Sequence, residues 1–235
     1  MKITFIIPCY NSEKVILKNY NKLNKFIIKN KIKAKIIYIN DGSYDFTYNK
    51  LLKINKKNVF IVNNQKNLGK SQSIINCINK IKTNYVILID CDLPYFSYLK
   101  QVINNLKNND LVLVNRKMKN SKNIELKQNI YQTIRNSISN YMGLYMEKKL
   151  NLKVNGDSQA GLKGFKNKNY IKKNKFISKF YFFDIELIKL YKINNARIKM
   201  IPVKYKISKS SSIKIFSFKN ILYILEFLKV LKIYS

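Results

Sequence analysis

Tryptophan and histidine are absent from this chain, and glycine (6), proline (3) and cysteine (3) are scarce. Cys9, Cys77 and Cys91 are odd in number and scattered, with no Cys-x-x-Cys pair. That excludes a disulfide framework and a cysteine zinc site, and it points to a reducing cytosol. No apolar run reaches the roughly 18 residues that a membrane-spanning helix needs. The stretch from Met1 to Ile7, ahead of Pro8, is too short to read as a signal peptide. No internal repeat or linker composition interrupts the 235 residues, so they read as one domain. A hydrophobic content of 46% with 13% aromatics is enough for a core and excludes a disordered chain.

Acidic residues are also few, 12 against 46 Lys plus Arg, for a formal charge of +34. Nearly all the basic residues are lysines, with arginine confined to Arg116, Arg135 and Arg197. With abundant Asn, Ile, Tyr and Phe, this is the profile of an AT-rich coding sequence, which accounts for the charge without invoking nucleic acid. Nucleic-acid recognition adds interleaved aromatic and basic motifs, and none is present, so no nucleic-acid partner is expected. A basic face toward anionic lipid or phosphate remains available. Against this bias the scarce residues carry information. Six of the seven Asp, four of the six Gly and all three Pro fall inside short blocks.

The first 115 residues alternate short apolar, β-branched runs with helical-period segments. Ile3–Ile7, Lys35–Ile39, Val59–Val62, Val86–Ile89 and Leu111–Val114 read as parallel strands buried on both faces. Ser12–Ile28, Ser71–Ile81 and Ser97–Leu106 read as helices, with Ser12, Ser71 and Ser97 as candidate N-caps. The alternation predicts an α/β fold, a doubly wound, mostly parallel sheet with ligands at the carboxyl ends of its strands. Farther on, Glu125–Leu150 and Asp184–Tyr191 read as helical and Gln159–Phe165 and Ile198–Val203 as extended. Phe218–Tyr234 reads as an amphipathic helix with Lys219, Glu226, Lys229 and Lys232 roughly on one side, suited to a membrane surface or to packing on its own domain.

Val86-Ile87-Leu88-Ile89-Asp90-Cys91-Asp92 ends a buried strand with carboxylates two apart, which point to the same side. Both are hard oxygen ligands for Mg²⁺ or Mn²⁺, and a metal so held bridges a diphosphate. Pro8-Cys9-Tyr10-Asn11 follows the first strand, with Tyr10 placed to stack on a base. Asn40-Asp41-Gly42-Ser43 follows the second, placing Asp41 to accept hydrogen bonds from a base or ribose; as an ordinary turn the same residues are equally at home. Asn67-Leu68-Gly69-Lys70 precedes a helix, where Lys70 and backbone N–H groups are placed to meet phosphate.

Taken jointly, Pro-x-Tyr-Asn, Asn-Asp-Gly-Ser-x-Asp, Asn-x-Gly-Lys and Asp-x-Asp resemble, in order and spacing, glycosyltransferase family 2, with its nucleotide-diphospho-sugar transferase (GT-A) fold. Asn115-Arg116, Arg135, the segment Asp157 to Phe165, Phe182 to Leu187, Ile201-Pro202-Val203 and Ser211 to Lys214 are most similar to the polyprenyl-phosphate branch, in particular the dolichyl-phosphate β-glucosyltransferases. The departures are Ser12 (though Glu13 follows), Asn40, Ser71 and Pro94. The resemblance implies a nucleotide-sugar-binding half, residues 1–115, and an acceptor-binding half, residues 116–235. It implies a donor site from Pro8, Tyr10, Asn11, Glu13, Asn40, Asp41, Lys70, Asp90, Cys91 and Asp92, with Asp90 at the ribose or sugar and Asp92 on the metal.

The expected reaction is inverting transfer of a glucose or mannose from a UDP- or GDP-sugar to a polyprenyl or dolichyl phosphate. A phosphate acceptor is largely ionised near neutrality, its second pKa being about 6, so no strong general base is demanded. Asp157 is the residue expected to orient the acceptor, with Asp184 or Glu186 behind it. Arg116 and Arg135 suit a bidentate grip on the lipid phosphate. The alternative acceptor is a surface glycan, which needs a base such as Asp184 or Glu186. The expected location is the cytoplasm, peripheral on the membrane face.

Overall fold

The computed structural model describes residues 1–54, 56–124, 130–206 and 219–234. Each β-branched run forms a strand: β1 (Lys2–Cys9), β2 (Lys33–Asp41), β3 (Val59–Asn64), β4 (Tyr85–Ile89) and β5 (Leu111–Asn115). Between and after them come α1 (Ile16–Lys29), α2 (Thr47–Leu52), α3 (Lys70–Ile78) and α4 (Leu99–Asn105), the last preceded by a 3₁₀ turn at Phe96–Tyr98. The second half adds β6 (Lys122–Asn123), α5 (Ile130–Leu150), β7 (Leu162–Lys166), α6 (Asn169–Lys173) and α7 (Phe183–Ile193). It ends with β8 (Ile198–Pro202), β9 (Lys204–Tyr205) and α8 (Lys219–Tyr234). Residues 125–129 of the expected long helix, and the Ser211 to Lys214 block, lie outside the described residues.

Seven strands form one sheet in the order β3-β2-β1-β4-β7-β5-β8. Every pairing is parallel except those of β7, which runs antiparallel between β4 and β5. Side chains alternate across the pleat, so Ile3, Phe5 and Ile7 pack into one core layer with Ile16, Leu23 and Leu99. Ile6 points to the other layer, with Ile74, Ile78, Phe183 and Leu187. This is the single α/β domain that strand–helix alternation predicts, with helices on both faces. Pro8 is paired with Ile39 of β2 but lies beyond Ile6, where the β1–β4 register ends, so it interrupts no rung on the β4 side.

The helix starts differ from expectation. α1 begins at Ile16, four residues after Ser12, whose hydroxyl donates to Tyr10 O (3.0 Å) and caps nothing. Ser71 lies inside α3, buried, and its Oγ accepts from Phe183 N at 3.1 Å. Ser97 sits within the 3₁₀ turn. For Ser12 and Ser71 a turn or tertiary hydrogen bond outcompetes the local cap. In α8, Glu226 does not share an outer polar side with Lys229 and Lys232: it is buried and accepts the backbone N–H groups of Lys179 and Phe180.

Candidate active site

β4 ends at Ile89, and the chain turns through Asp90-Cys91-Asp92, with Leu93 N donating to Asp90 O at 2.9 Å. Leu93 and Tyr95 have φ of 53° and 59°, left-handed conformations that side chains disfavour. Such strain persists only where the surroundings fix it, and it clusters at functional sites. Asp90 Oδ1 is ion-paired with Lys70 Nζ at 2.6 Å, and Asp90 N donates to Gly161 O at 3.0 Å. Gly161 has no room for a side chain, since a Cβ there would lie 2.5 Å from Asp90 Oδ2.

Asp92 is exposed at the rim. Partial burial in the cleft and then the charge of Asp90 raise its carboxyl above the ordinary value. Burial alone would lower the Lys70 ammonium, but Asp90 and Asp184 outweigh it and hold the lysine charged. Among the described residues, no three His, Cys, Asp or Glu side chains gather into a metal cage. Mg²⁺ needs none, because it takes one or two carboxylates and completes its shell from water and substrate phosphate. Two nearby carboxylates, one of them raised by burial and then by its neighbour, offer the negative charge that a cation relieves. The residues therefore fit Mg²⁺ or Mn²⁺, with Asp92 the open ligand and Asp90 shared with Lys70.

The ends of β1 and β2 are tied to each other. Asn11 N donates to Ser43 Oγ (3.0 Å) and Tyr44 N donates to Asn11 Oδ1 (3.2 Å). Glu13 N donates to Asp45 Oδ2 (3.1 Å), and Phe46 N donates to Glu13 Oε2 (3.0 Å). Asn11 and Glu13 thus hold one loop against the other. Tyr10 stands out of this framework, 42% exposed, edge-on to the 85% exposed Tyr44 at 6.1 Å. The pair presents aromatic surface where Tyr10 alone was expected.

Four groups expected at the donor site are already buried or hydrogen-bonded within the protein. Asp41 is 3% exposed, and its oxygens accept from Asn64 Nδ2, Leu68 N, Gly69 N and Ser73 Oγ at 2.7–3.0 Å. In this conformation it holds the loop before α3 and does not face a ligand. Asn40, 2% exposed, donates to Asn63 Oδ1 at 2.7 Å. At the head of α3, Ser71 N and Gln72 N donate to Phe180 O and Lys179 O, so these two N–H groups are not turned toward a phosphate. Cys91 is also buried, beside Cys9, and its thiol faces the core.

On the other rim, Arg116 and Asp157 come together, but on each other. Arg116 Nη2 lies 2.5 Å from Asp157 Oδ1 and Nε 3.0 Å from Oδ2, and the backbone N of Arg116 adds a bond of 2.6 Å to Oδ2. Burial alone would raise the Asp157 carboxyl, but Arg116 holds it below the usual range. Tyr95 borders the same guanidinium. Lys163 of β7 and Asp184 of α7 form a second ion pair at 2.7 Å, with side chains 3% and 7% exposed. Glu186 is fully buried and accepts from Ile177 N, Ser178 N and Tyr234 Oη. That disposes of Glu186 as a base. Arg135 lies in α5, and its side chain is outside the described residues.

Lys163, Tyr95, Tyr44 and Asp45 were not singled out from the sequence. Asp45 and Tyr44 had a signal, as the last two positions of Asn-Asp-Gly-Ser-x-Asp. Lys163, one lysine among many, had none.

The fold has close counterparts. Mannosyl-3-phosphoglycerate synthase from Rubrobacter xylanophilus superimposes with a TM-score of 0.69 at 8% identity, over 98% of this chain and 72% of that one. Glucosyl-3-phosphoglycerate synthase from Mycobacterium tuberculosis, in complex with UDP, gives 0.65 at 13% identity, over 98% and 80%. The architecture is that of the GT-A glycosyltransferases. The glycosyl transferase family 2 pattern matches residues 4–182, and the chain belongs to that family. A poly-β-1,6-N-acetyl-D-glucosamine synthase of Staphylococcus aureus is 35% identical over 101 residues, which cover 40% of this chain and 24% of the synthase. A dolichyl-phosphate β-glucosyltransferase of Trichomonas vaginalis is 26% identical over 232 residues, 91% of this chain and 68% of that protein. The match thus spans about a quarter of the length of the first of these relatives.

Proposed function

We propose that this protein transfers a hexose, with inversion, from a UDP- or GDP-sugar to a polyprenyl phosphate. The observation that carries the acceptor assignment is the state of the carboxylates beyond β4. Asp157 and Asp184 are each locked to a cation, and Glu186 to backbone N–H groups and a tyrosine. A sugar hydroxyl acceptor needs a general base, whereas an already ionised phosphate needs none. The likeness to the dolichyl-phosphate glucosyltransferase along 91% of the chain supports the same reading.

In this reading Tyr10 and Tyr44 take the nucleoside base. Lys70 brings positive charge toward the diphosphate, and Asp92, with Asp90, would hold Mg²⁺ or Mn²⁺. When bound, that ion supplies positive charge where negative charge collects on the leaving diphosphate. A solved relative of the fold, the M. tuberculosis glucosyl-3-phosphoglycerate synthase, was obtained with Mn²⁺ and UDP-glucose. The acceptor phosphate oxygen attacks the anomeric carbon from the side opposite the nucleotide, forming one C–O bond as the bond to the diphosphate breaks. Arg116, about a third exposed and oriented by Asp157, and Arg135 are the guanidinium groups assigned to the acceptor phosphate.

A second reading, a glycan acceptor, draws on the 35% identity to the poly-N-acetylglucosamine synthase. It requires Asp184 to leave Lys163 and act as base. Radiolabelled UDP-glucose and GDP-mannose, each offered polyprenyl phosphate or an oligosaccharide, separate the two. Label should move to the lipid phosphate, and label found only in the oligosaccharide overturns the proposal.

A further inference from the structure

α5 and α8 each bury one side and leave a second apolar side uncovered. On α5 the inner face is Met146 and Leu150, while Ile130, Ile134, Ile138 and Tyr141, spaced four and three apart, run along a different face. On α8, Phe227 and Val230 face the core, whereas Ile221, Leu225 and Leu228 stand outward. Lys229 and Lys232 are exposed among them. Of the 23 large apolar side chains exposed among the described residues, 12 stand on these two helices. The helices adjoin, with Tyr145 stacked on Phe227 at 6.0 Å. Soluble proteins rarely leave so contiguous an apolar surface without a use for it.

We propose that this two-helix face seats the protein on an anionic bilayer surface, with Lys229 and Lys232 at the headgroups. Charge selects the occupant. A second copy of a chain carrying +34 would bring lysine stripes against each other, while an anionic headgroup layer is their complement. Helix length agrees, since no helix among the described residues is long and apolar enough to cross a membrane. α8, with 16 residues and about 24 Å, suits lying in the interface.

Both helices are also tied to segments that build the cleft. On α5, Gly143 passes so close to Gly156 O that a Cβ would lie 2.3 Å from it, and the residue after Gly156 is Asp157. On α8, Glu226 accepts the N–H groups of Lys179 and Phe180, whose carbonyls take the first-turn N–H groups of α3 beside Lys70. Seating the two helices therefore places elements that support the cleft on the surface that carries lipid-linked phosphate. Docking itself is independent of the acceptor, and only its catalytic use rests on the polyprenyl-phosphate reading.

Flotation of the chain with phosphatidylcholine vesicles, with and without phosphatidylglycerol, tests this. The wild type should float with the anionic vesicles and be released by high salt. Leu225→Asp/Leu228→Asp and Ile134→Asp/Ile138→Asp should each abolish flotation while UDP binding by calorimetry is retained. Lys229→Gln/Lys232→Gln should weaken it by about fivefold per lysine. A wild type that stays soluble with anionic vesicles overturns the proposal, as do double variants that float like the wild type, or a dimer in solution broken by the same substitutions. Flotation without transfer to polyprenyl phosphate upholds docking and removes the acceptor assignment. Transfer in detergent without flotation does the reverse.

Discussion

The two rims of the cleft use carboxylates in opposite ways. On the β4 rim, Asp92 is exposed and Asp90 shares a single lysine, so negative charge is left facing the cleft. On the β5–β7 rim, Asp157 and Asp184 lie against Arg116 and Lys163, with carboxylate side chains 0% and 7% exposed. The first arrangement can take a cation from outside. The second has its cations built in, and it organises the site without offering an open ligand. What separates a binding carboxylate from a framework one is exposure and partner, not its place in a motif.

The largest expected effects come from breaking the sealed rim. Lys163→Met leaves Asp184 buried without a counter-charge and should destabilise by about 3–5 kcal/mol in urea unfolding. The double variant Lys163→Met/Asp184→Leu should recover most of that loss, because an apolar pair removes both desolvation costs. A single-variant cost below about 1 kcal/mol would put the pair on the surface-like footing of the exposed ones. Next in size, Asp92→Asn on the open rim should cut donor turnover by about 10²- to 10³-fold, the range for losing one preorganised electrostatic contact, with no loss of stability. Rates from initial-velocity assays with and without EDTA, beside melting curves, check both halves of the statement.

A smaller effect is expected at the junction of the rims. Gly161→Ala places a Cβ 2.5 Å from Asp90 Oδ2 and 2.8 Å from Pro94 Cγ. The shift this forces should cost about 1–3 kcal/mol and raise the donor KM by displacing Asp90 from Lys70. An unchanged KM in a folded variant would show that Asp90 does not need that position.

The smallest effect distinguishes the rims by sign. Asp157, whose folded pKa is lowered, contributes stability that is present above the unfolded value of about 3.9 and lost as pH falls through its folded value. Asp92, whose folded pKa is raised, costs stability at neutral pH, and that cost disappears as pH falls through its folded value. Melting temperatures across acid and neutral pH should therefore show Asp92→Asn equal to or slightly above the wild type at neutral pH, and Asp157→Asn below it. Equal losses in the two variants would erase the distinction.

Much of the sheet was legible because β-branched runs bounded by turn residues leave few alternatives, and β1 to β5 lie where those runs predict. The direction of β7 was not legible, since the sequence marks Gln159–Phe165 as extended without saying which way it runs between β4 and β5. The Asp90 and Asp92 rim was readable from two carboxylates at a strand end. The pairings were not. Arg116 and Asp157 are 41 residues apart, Lys163 is one lysine among many, and Glu226 sits in a helix where only packing shows that it points inward.

The contrast between the rims is tested most directly by Mn²⁺ titration in the presence of UDP, followed by electron paramagnetic resonance of the free ion. Wild type and Lys163→Met/Asp184→Leu should both bind Mn²⁺, and Asp92→Asn should not. Binding that survives Asp92→Asn, or that vanishes in the double variant, contradicts the assignment of the open rim to the cation and the sealed rim to the framework.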